Sequence, residues 1–212
     1  MNNYYTAIAD DYDDFYEEEV LQDDLDAIQE TVAELFDGHD VLELACGTGH
    51  WTDTLAYVAK SVHAIDINEA MLEWARDRDL DPDVVSFEQR DCWDLPDNIR
   101  GKYTAVLAAG FWSHVPKEEQ EKFLKMLKAK LGTDVVLMLI DDNFVEGETL
   151  PIAKTDLEGN TYLIPSDADG ERYEVLKNFP ADSALKKRFA SHGKEVRIKR
   201  YDYFWTLTCR LK

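Results

Sequence analysis

The residues best placed to do chemistry lie in one stretch, Val41-Leu42-Glu43-Leu44-Ala45-Cys46-Gly47-Thr48-Gly49. Asp40 followed by Val41, Leu42 and Leu44 reads as a short apolar strand, and Trp51, Leu55 and Val58 recur at helical spacing. Between them, Ala45, Gly47 and Gly49 keep side chains out of the way. Backbone N–H groups there, and at the start of the helix, can therefore face a polar or anionic group. Such a turn suits a nucleotide cofactor. The dinucleotide pattern G-x-G-x-x-G is not met, because Ala45 stands in the first glycine slot and Thr52 in the last if Gly47 opens the motif. No G-x-x-x-x-G-K-[ST] occurs, which excludes a phosphate-gripping P-loop. Asp66 closes the next apolar run, Val62–Asp66, roughly 20 residues on, where a carboxylate can accept from both hydroxyls of a ribose.

The phrase E-L-A-C-G-T-G-H-W-T followed by A-I-D-I-N-E-A-M-L resembles the motif I and post-I region of class I S-adenosylmethionine-dependent methyltransferases. The resemblance has specific motifs over residues 1–141 and only a matching topology beyond them. It implies S-adenosylmethionine as cofactor and a role for each residue around the turn. Ala45, Cys46, Gly47 and Gly49 would form the close-approach turn, and Asp66 would hold the ribose diol. Ile67 and Met71 would sandwich the adenine, with Asp91, Cys92 and Trp93 meeting its edge. Glu43 and the carbonyls of Ala109 and Gly110 would take the ammonium. The first Lys or Arg in the chain is Lys60, so no basic residue of the N-terminus can meet the cofactor carboxylate. Tyr12 or another of the tyrosine hydroxyls at 4, 5 and 16, Thr52, or N–H groups at the helix start are the alternatives. The phrase Ala9-Asp10-Asp11-Tyr12-Asp13 is similar to the N-terminal lid of many small-molecule methyltransferases, which implies tyrosines folded over the cofactor.

Acceptor-side residues are expected after the fourth strand, in Gly110-Phe111-Trp112-Ser113-His114, and at Asp141, Tyr5 and Tyr16. His114 is the candidate general base, since an unperturbed imidazole titrates near neutral pH; a structural histidine near the helix that follows Pro116 is the alternative. No [DNS]-P-P-[YFW] box and no Pro-Cys nucleophile occurs, which weighs against base modification in nucleic acids. The expected function is methyl transfer to an O or N atom of a small-molecule acceptor. An NAD(P)-dependent oxidoreductase and a non-catalytic cofactor-binding subunit are the alternatives; the former lacks the third glycine and a Tyr-x-x-x-Lys pair.

These residues need elements to position them. Tyr4, Tyr5, Ile8, Tyr12, Phe15 and Tyr16 make an aromatic stripe, and Val20 to Phe36 a second amphipathic helix ending at Gly38, so 1–37 reads as a helical lid of two helices. Strands at 40–45, 61–66, 84–88, 103–109 and 135–140 alternate with helices at 50–59, after Asn68, and from Pro116 to Gly132. Residues 142–178 read as an acceptor-side insert with a hairpin across Asp167–Gly170. A helix at 181–191 and a strand pair, 195–201 and 203–211, follow. The expected fold is α/β, a Rossmann-like doubly wound seven-stranded sheet with its last strand antiparallel, as one domain spanning 1–212.

Length and charge bound the rest. The chain has 212 residues, with 44 Asp and Glu against 23 Lys and Arg and a net charge of −21. The first 59 residues hold 16 of those acids and no Lys or Arg. So acidic a surface argues against nucleic acid as a partner. Three cysteines, at 46, 92 and 209, have neither metal spacing nor an even disulfide set. With no apolar run of membrane length, a cytoplasmic monomer or homodimer binding no metal is expected.

Overall fold

A computed structural model describes residues 2–212. Its main sheet has seven strands, β1 (Asp40–Leu44), β2 (Ser61–Asp66), β3 (Val85–Gln89), β4 (Ala105–Ala109), β5 (Val136–Asp142), β9 (Gly193–Arg200) and β10 (Phe204–Leu211). A smaller antiparallel sheet holds β6 (Lys154–Thr155), β7 (Thr161–Leu163) and β8 (Val175–Leu176). In the main sheet the order is β3-β2-β1-β4-β5-β10-β9. β1 pairs in parallel with both β2 and β4, while β10 enters antiparallel beside β5. Strand order thus reverses between β1 and β4, which opens a crevice at their carboxyl ends. This is the expected doubly wound fold, with β10 as its antiparallel last strand.

Helices cover both faces. α3 (Gln22–Phe36) and α4 (His50–Val58) bury Ile28, Val32, Phe36 and Leu55 against one side. α6 (Gln120–Leu131) and α7 (Asp182–Phe189) bury Phe123, Leu127, Leu185 and Phe189 against the other. β4, and β5 as far as Ile140, are covered on both sides and read as apolar runs, as buried parallel strands do. α5 (Glu69–Asp77) starts where Asn68 caps it, its side-chain oxygen accepting from the Ala70 N–H at 3.1 Å.

The main departure from the expected elements is at the N-terminus. The aromatic stripe is not one helix. It breaks into α1 (Asn2–Ala7), a 3-10 turn at Ala9–Asp11, α2 (Asp14–Glu17) and a second 3-10 turn at Glu19–Leu21. Asp10, Asp11, Asp13 and Asp14 are poor helix formers, and their like charges repel at helical spacing. Asp13 is also drawn out of the pattern, accepting hydrogen bonds from Thr48 Oγ1 and Arg78 Nη2. Smaller shifts occur elsewhere. β4 begins at Ala105 rather than 103, and α6 at Gln120, after a turn opened by Pro116.

Candidate functional site

The turn after β1 is pinned from three sides. The Cys46 N–H donates to the Ile65 carbonyl at 3.0 Å, the Gly47 N–H donates to Asp66 Oδ2 at 2.9 Å, and Asp66 Oδ1 accepts from the Asn68 N–H at 2.8 Å. Ala45 and Gly47 both hold positive φ, 53° and 57°. For Ala45 this is a strained, left-handed backbone of the kind that gathers at functional turns. A Cβ at Gly47 would lie 3.8 Å from the Tyr12 ring, so the glycine keeps the space between turn and lid open. Burial pushes the Asp66 carboxyl up, against the pull of the backbone N–H groups of Asn68, Gly47 and Ile67.

Three cavities meet here. The first, about 280 Å³, is lined by Ala45, Gly47, Asp66, Ile67, Met71, Asp91, Cys92, Trp93, Ala109, Phe111 and His114, with Tyr5 and Tyr12 above. Its lining combines the apolar side chains of Ile67 and Met71 with the carboxylate residues Asp66 and Asp91. The second, about 560 Å³, is walled by Tyr4, Tyr5, Tyr12, Phe15, Tyr16, Trp51 and Phe204, with Asp141, Asp142 and Lys177 also lining it. The third, about 20 Å³, is enclosed by Tyr12, Tyr16, Glu43, Ala45, Cys46, Gly47 and His50. Tyr12 and Ala109 line all three.

Two polar groups stand out around the smallest cavity. Glu43 is buried and accepts from Thr52 Oγ1 at 2.6 Å. Burial pushes its carboxyl up to about 8, Thr52 pulling the other way. His50 stacks on Tyr16 with centroids 3.7 Å apart and planes 6° from parallel. Its Nε2 is buried without a hydrogen-bond partner among the described residues.

At the junction of the larger cavities, His114 is buried and its Nδ1 lies 2.5 Å from the Leu176 carbonyl oxygen. A carbonyl only accepts, so Nδ1 carries the proton and Nε2 is an acceptor. The Tyr5 hydroxyl donates to that Nε2 at 2.8 Å. Burial, with Lys177 assisting, pushes the imidazole down to about 4, which keeps it neutral. His114 therefore reaches the larger cavity only through Tyr5. Beside them, Lys177 Nζ pairs with Asp141 Oδ1 at 3.1 Å and Asp142 Oδ2 at 2.6 Å. Burial works against the Asp141 charge, but Lys177 together with backbone N–H donors from Ser113 and Asp142 holds it below the usual range.

Some expected site residues lie elsewhere. Trp112 is 1% exposed and packs on Phe189 in the core, because the 3-10 turn at Trp112–His114 faces it away from the crevice. Thr52 is fully buried and spent on Glu43. Gly49 caps α4 at φ 83° beneath Arg78 and lines none of the three cavities. Glu43 and Cys46 reach only the smallest. The sequence pattern singles out none of His50, Arg78 and Lys177. His50 sits inside the turn motif, where it was legible. Lys177 was not, since its partners lie on β5, more than thirty residues away.

The family model described as a methyltransferase domain matches residues 41–133. A demethylmenaquinone methyltransferase of Clavibacter sepedonicus is 34% identical over 92 residues, which are 43% of this chain and 38% of that protein. The match thus spans well under half of that relative's length. Among solved structures, one described as a DhpI–SAM–HEP complex aligns over 98% of this chain and 94% of its own at TM-score 0.79 and 27% identity. A DhpI–SAH complex aligns over 99% and 94% at TM-score 0.77 and 27% identity. A magnesium protoporphyrin IX methyltransferase from Synechocystis PCC 6803 with bound SAM, 17% identical over 90% of this chain and 79% of its own at TM-score 0.57, shares the fold.

Proposed function

Because this chain carries a class I, S-adenosylmethionine-dependent methyltransferase domain, we propose that it transfers a methyl group from that cofactor to an O or N atom of a small molecule. The observation that carries the reading is the meeting of three cavities at Tyr12 and Ala109. A sulfonium has three carbon substituents, and the three spaces differ in the way those substituents do. The cavity beside Asp66 suits adenosine, the smallest pocket a compact polar terminus, and the aromatic chamber an acceptor approaching the methyl. The glycine-lined turn and the paired carboxylates Asp66 and Asp91 fit the polar edges of such a cofactor. When bound, it supplies an electrophilic methyl whose sulfur leaves as a neutral thioether.

The chain's own residues have the remaining work. Asp66 accepts from the ribose hydroxyls, while Ile67 and Met71 flank the adenine and Asp91, Cys92 and Trp93 meet its edge. Glu43 meets the ammonium with Ala109 behind it. Tyr12, Tyr5 and Tyr16 close the chamber over the acceptor, excluding water and facing a cation with aromatic rings. Asp141 stands at the acceptor chamber, whereas Phe111, expected there, lines the cavity beside Asp66 instead. His114 holds the Tyr5 hydroxyl at the junction and is a positioning residue. With carboxylates at the chamber and so acidic a chain, nucleic acid is an unsuitable acceptor. No helix among the described residues is long and apolar enough to cross a membrane.

The test is calorimetric titration with S-adenosylmethionine, S-adenosylhomocysteine and NADH in parallel, on the wild type and Asp66→Ala. Micromolar binding of the two adenosyl compounds, weakened about tenfold or more in Asp66→Ala, is expected. Release of S-adenosylhomocysteine in a screen of small amines, phenols and acids then identifies the acceptor. Binding of NADH alone would sink the assignment.

A further inference from the structure

We infer that His50 is a binding residue for the cofactor's amino-acid carboxylate, its Nε2–H donating to that group from the wall of the smallest cavity. The inference rests on the cofactor reading above and adds a side-chain nitrogen to the hydroxyl and N–H groups weighed for that carboxylate, where no Lys or Arg precedes Lys60.

Four observations converge on it. First, a buried imidazole nitrogen without a partner carries a desolvation cost that native structures rarely leave uncompensated. Second, the space His50 lines, about 20 Å³, exceeds the roughly 10–15 Å³ that a water-sized group needs but admits no ring. A small polar group fits there. Third, the wall beside His50 is Glu43, a carboxyl with one hydrogen bond and no cation beside it. Glu43 and His50 thus present an acceptor and a donor to one space, which is the complement of an ammonium and a carboxylate on one carbon.

Fourth, the nearby cation is committed elsewhere. Arg78 gives its Nε–H to the Thr48 carbonyl at 2.6 Å and its Nη2–H to Asp13, and it lines none of the three cavities. Of the side chains lining this space, His50 and Trp51 carry a nitrogen, and among the described residues it is the His50 Nε2 that is buried without a partner. Burial, with Arg78 assisting and Asp13 opposing, pushes the imidazole down to about 4. A neutral ring carries one N–H, and placing it on Nε2 requires no protonation. The flat stack on Tyr16 holds the ring in one plane and so aims that N–H.

Two ligands separate this role from a structural one. S-adenosylhomocysteine carries the amino-acid end; 5′-methylthioadenosine keeps the adenosine and thioether and lacks it. Calorimetry at one pH would compare the wild type with His50→Phe, which keeps a flat ring on Tyr16 but has no donor, and with His50→Asn, which restores one. The expected result is that His50→Phe binds S-adenosylhomocysteine about tenfold or more weakly while its affinity for 5′-methylthioadenosine is unchanged, with partial recovery in His50→Asn. Equal weakening of both ligands, or no weakening of either, would overturn the inference. If His50→Phe fails to fold, His50→Asn and His50→Ala carry the same comparison. Failure of the wild type to bind either ligand would instead overturn the cofactor reading itself.

Discussion

Glu43 shows how a residue can hold opposite values for stability and for binding. Its carboxyl is pushed up to about 8 by burial, whereas in the unfolded chain it titrates near its ordinary ~4.3. Between those values the folded state keeps a proton that the unfolded state has released. Stability therefore falls as pH rises through that window. Glu43→Gln removes the penalty and keeps the acceptance from Thr52. It is expected to melt above wild type at pH 7.5, by roughly 2–4 °C for each kcal/mol recovered, with the difference vanishing near pH 4. The same variant should bind S-adenosylhomocysteine about tenfold more weakly, having lost a carboxyl able to ionise against an ammonium. Thermal melts at both pH values alongside calorimetry check this, and a lower melt at pH 7.5 would refute it. Some of this chemistry was legible in residue types. Asp66, Asp91 and Gly47 stand where the spacing places them, because chain-local turns dictate their positions. Trp112 was not legible, as nothing in a run of aromatic residues says which one a 3-10 turn will point at the core.

At the scale of elements, the N-terminal segment is tied by hydrogen bonds to the turn after β1 and to α5 and its flanking residues, and by Phe15 on Phe204 to β10. Asp13 accepts from Thr48 and Arg78, Trp74 donates to Asp10 at 3.2 Å, and Asn68 Nδ2 donates to Thr6 at 3.1 Å. These contacts are partly or fully exposed, so each contributes little to global stability. They set instead how often the segment opens. Asp13→Ala is expected to speed amide exchange across residues 2–16 while shifting the melt by no more than a degree or two. It should also weaken S-adenosylhomocysteine binding several-fold. Unchanged exchange would mean that the aromatic packing alone holds the segment. The strands were readable because apolar runs of five or six residues between turn signals leave few options, and α5 because Asn68 marks its start. The broken first helix was not, since an aromatic stripe at helical spacing is satisfied equally by short pieces whose rings happen to converge.

For the molecule as a whole, the excess of acidic residues sets like-charge repulsion against the surface ion pairs. A net charge of −21 makes the folded chain repel itself, and the surface ion pairs that relieve it are individually weak. Raising sodium chloride from about 20 to about 200 mM shortens the screening length to below about 10 Å. The melting temperature is therefore expected to rise, and a fall would show that attractive pairs outweigh the repulsion. The topology followed from the alternation of apolar runs and amphipathic helices. The contacts that join distant parts did not: Lys177 meets Asp141 and Asp142, and Arg78 meets Asp13 across 65 residues, and such pairings have no local pattern.

The position of Tyr12 has a consequence for the order of events in a turnover. One phenol ring borders all three cavities, and the segment that carries it is fastened by a few exposed contacts. Arrival of fresh cofactor, departure of the spent one and entry of an acceptor are then not three independent traffic problems, because the same short stretch of chain stands in every doorway. Under the proposed function, displacement of that stretch is a step the three events would share.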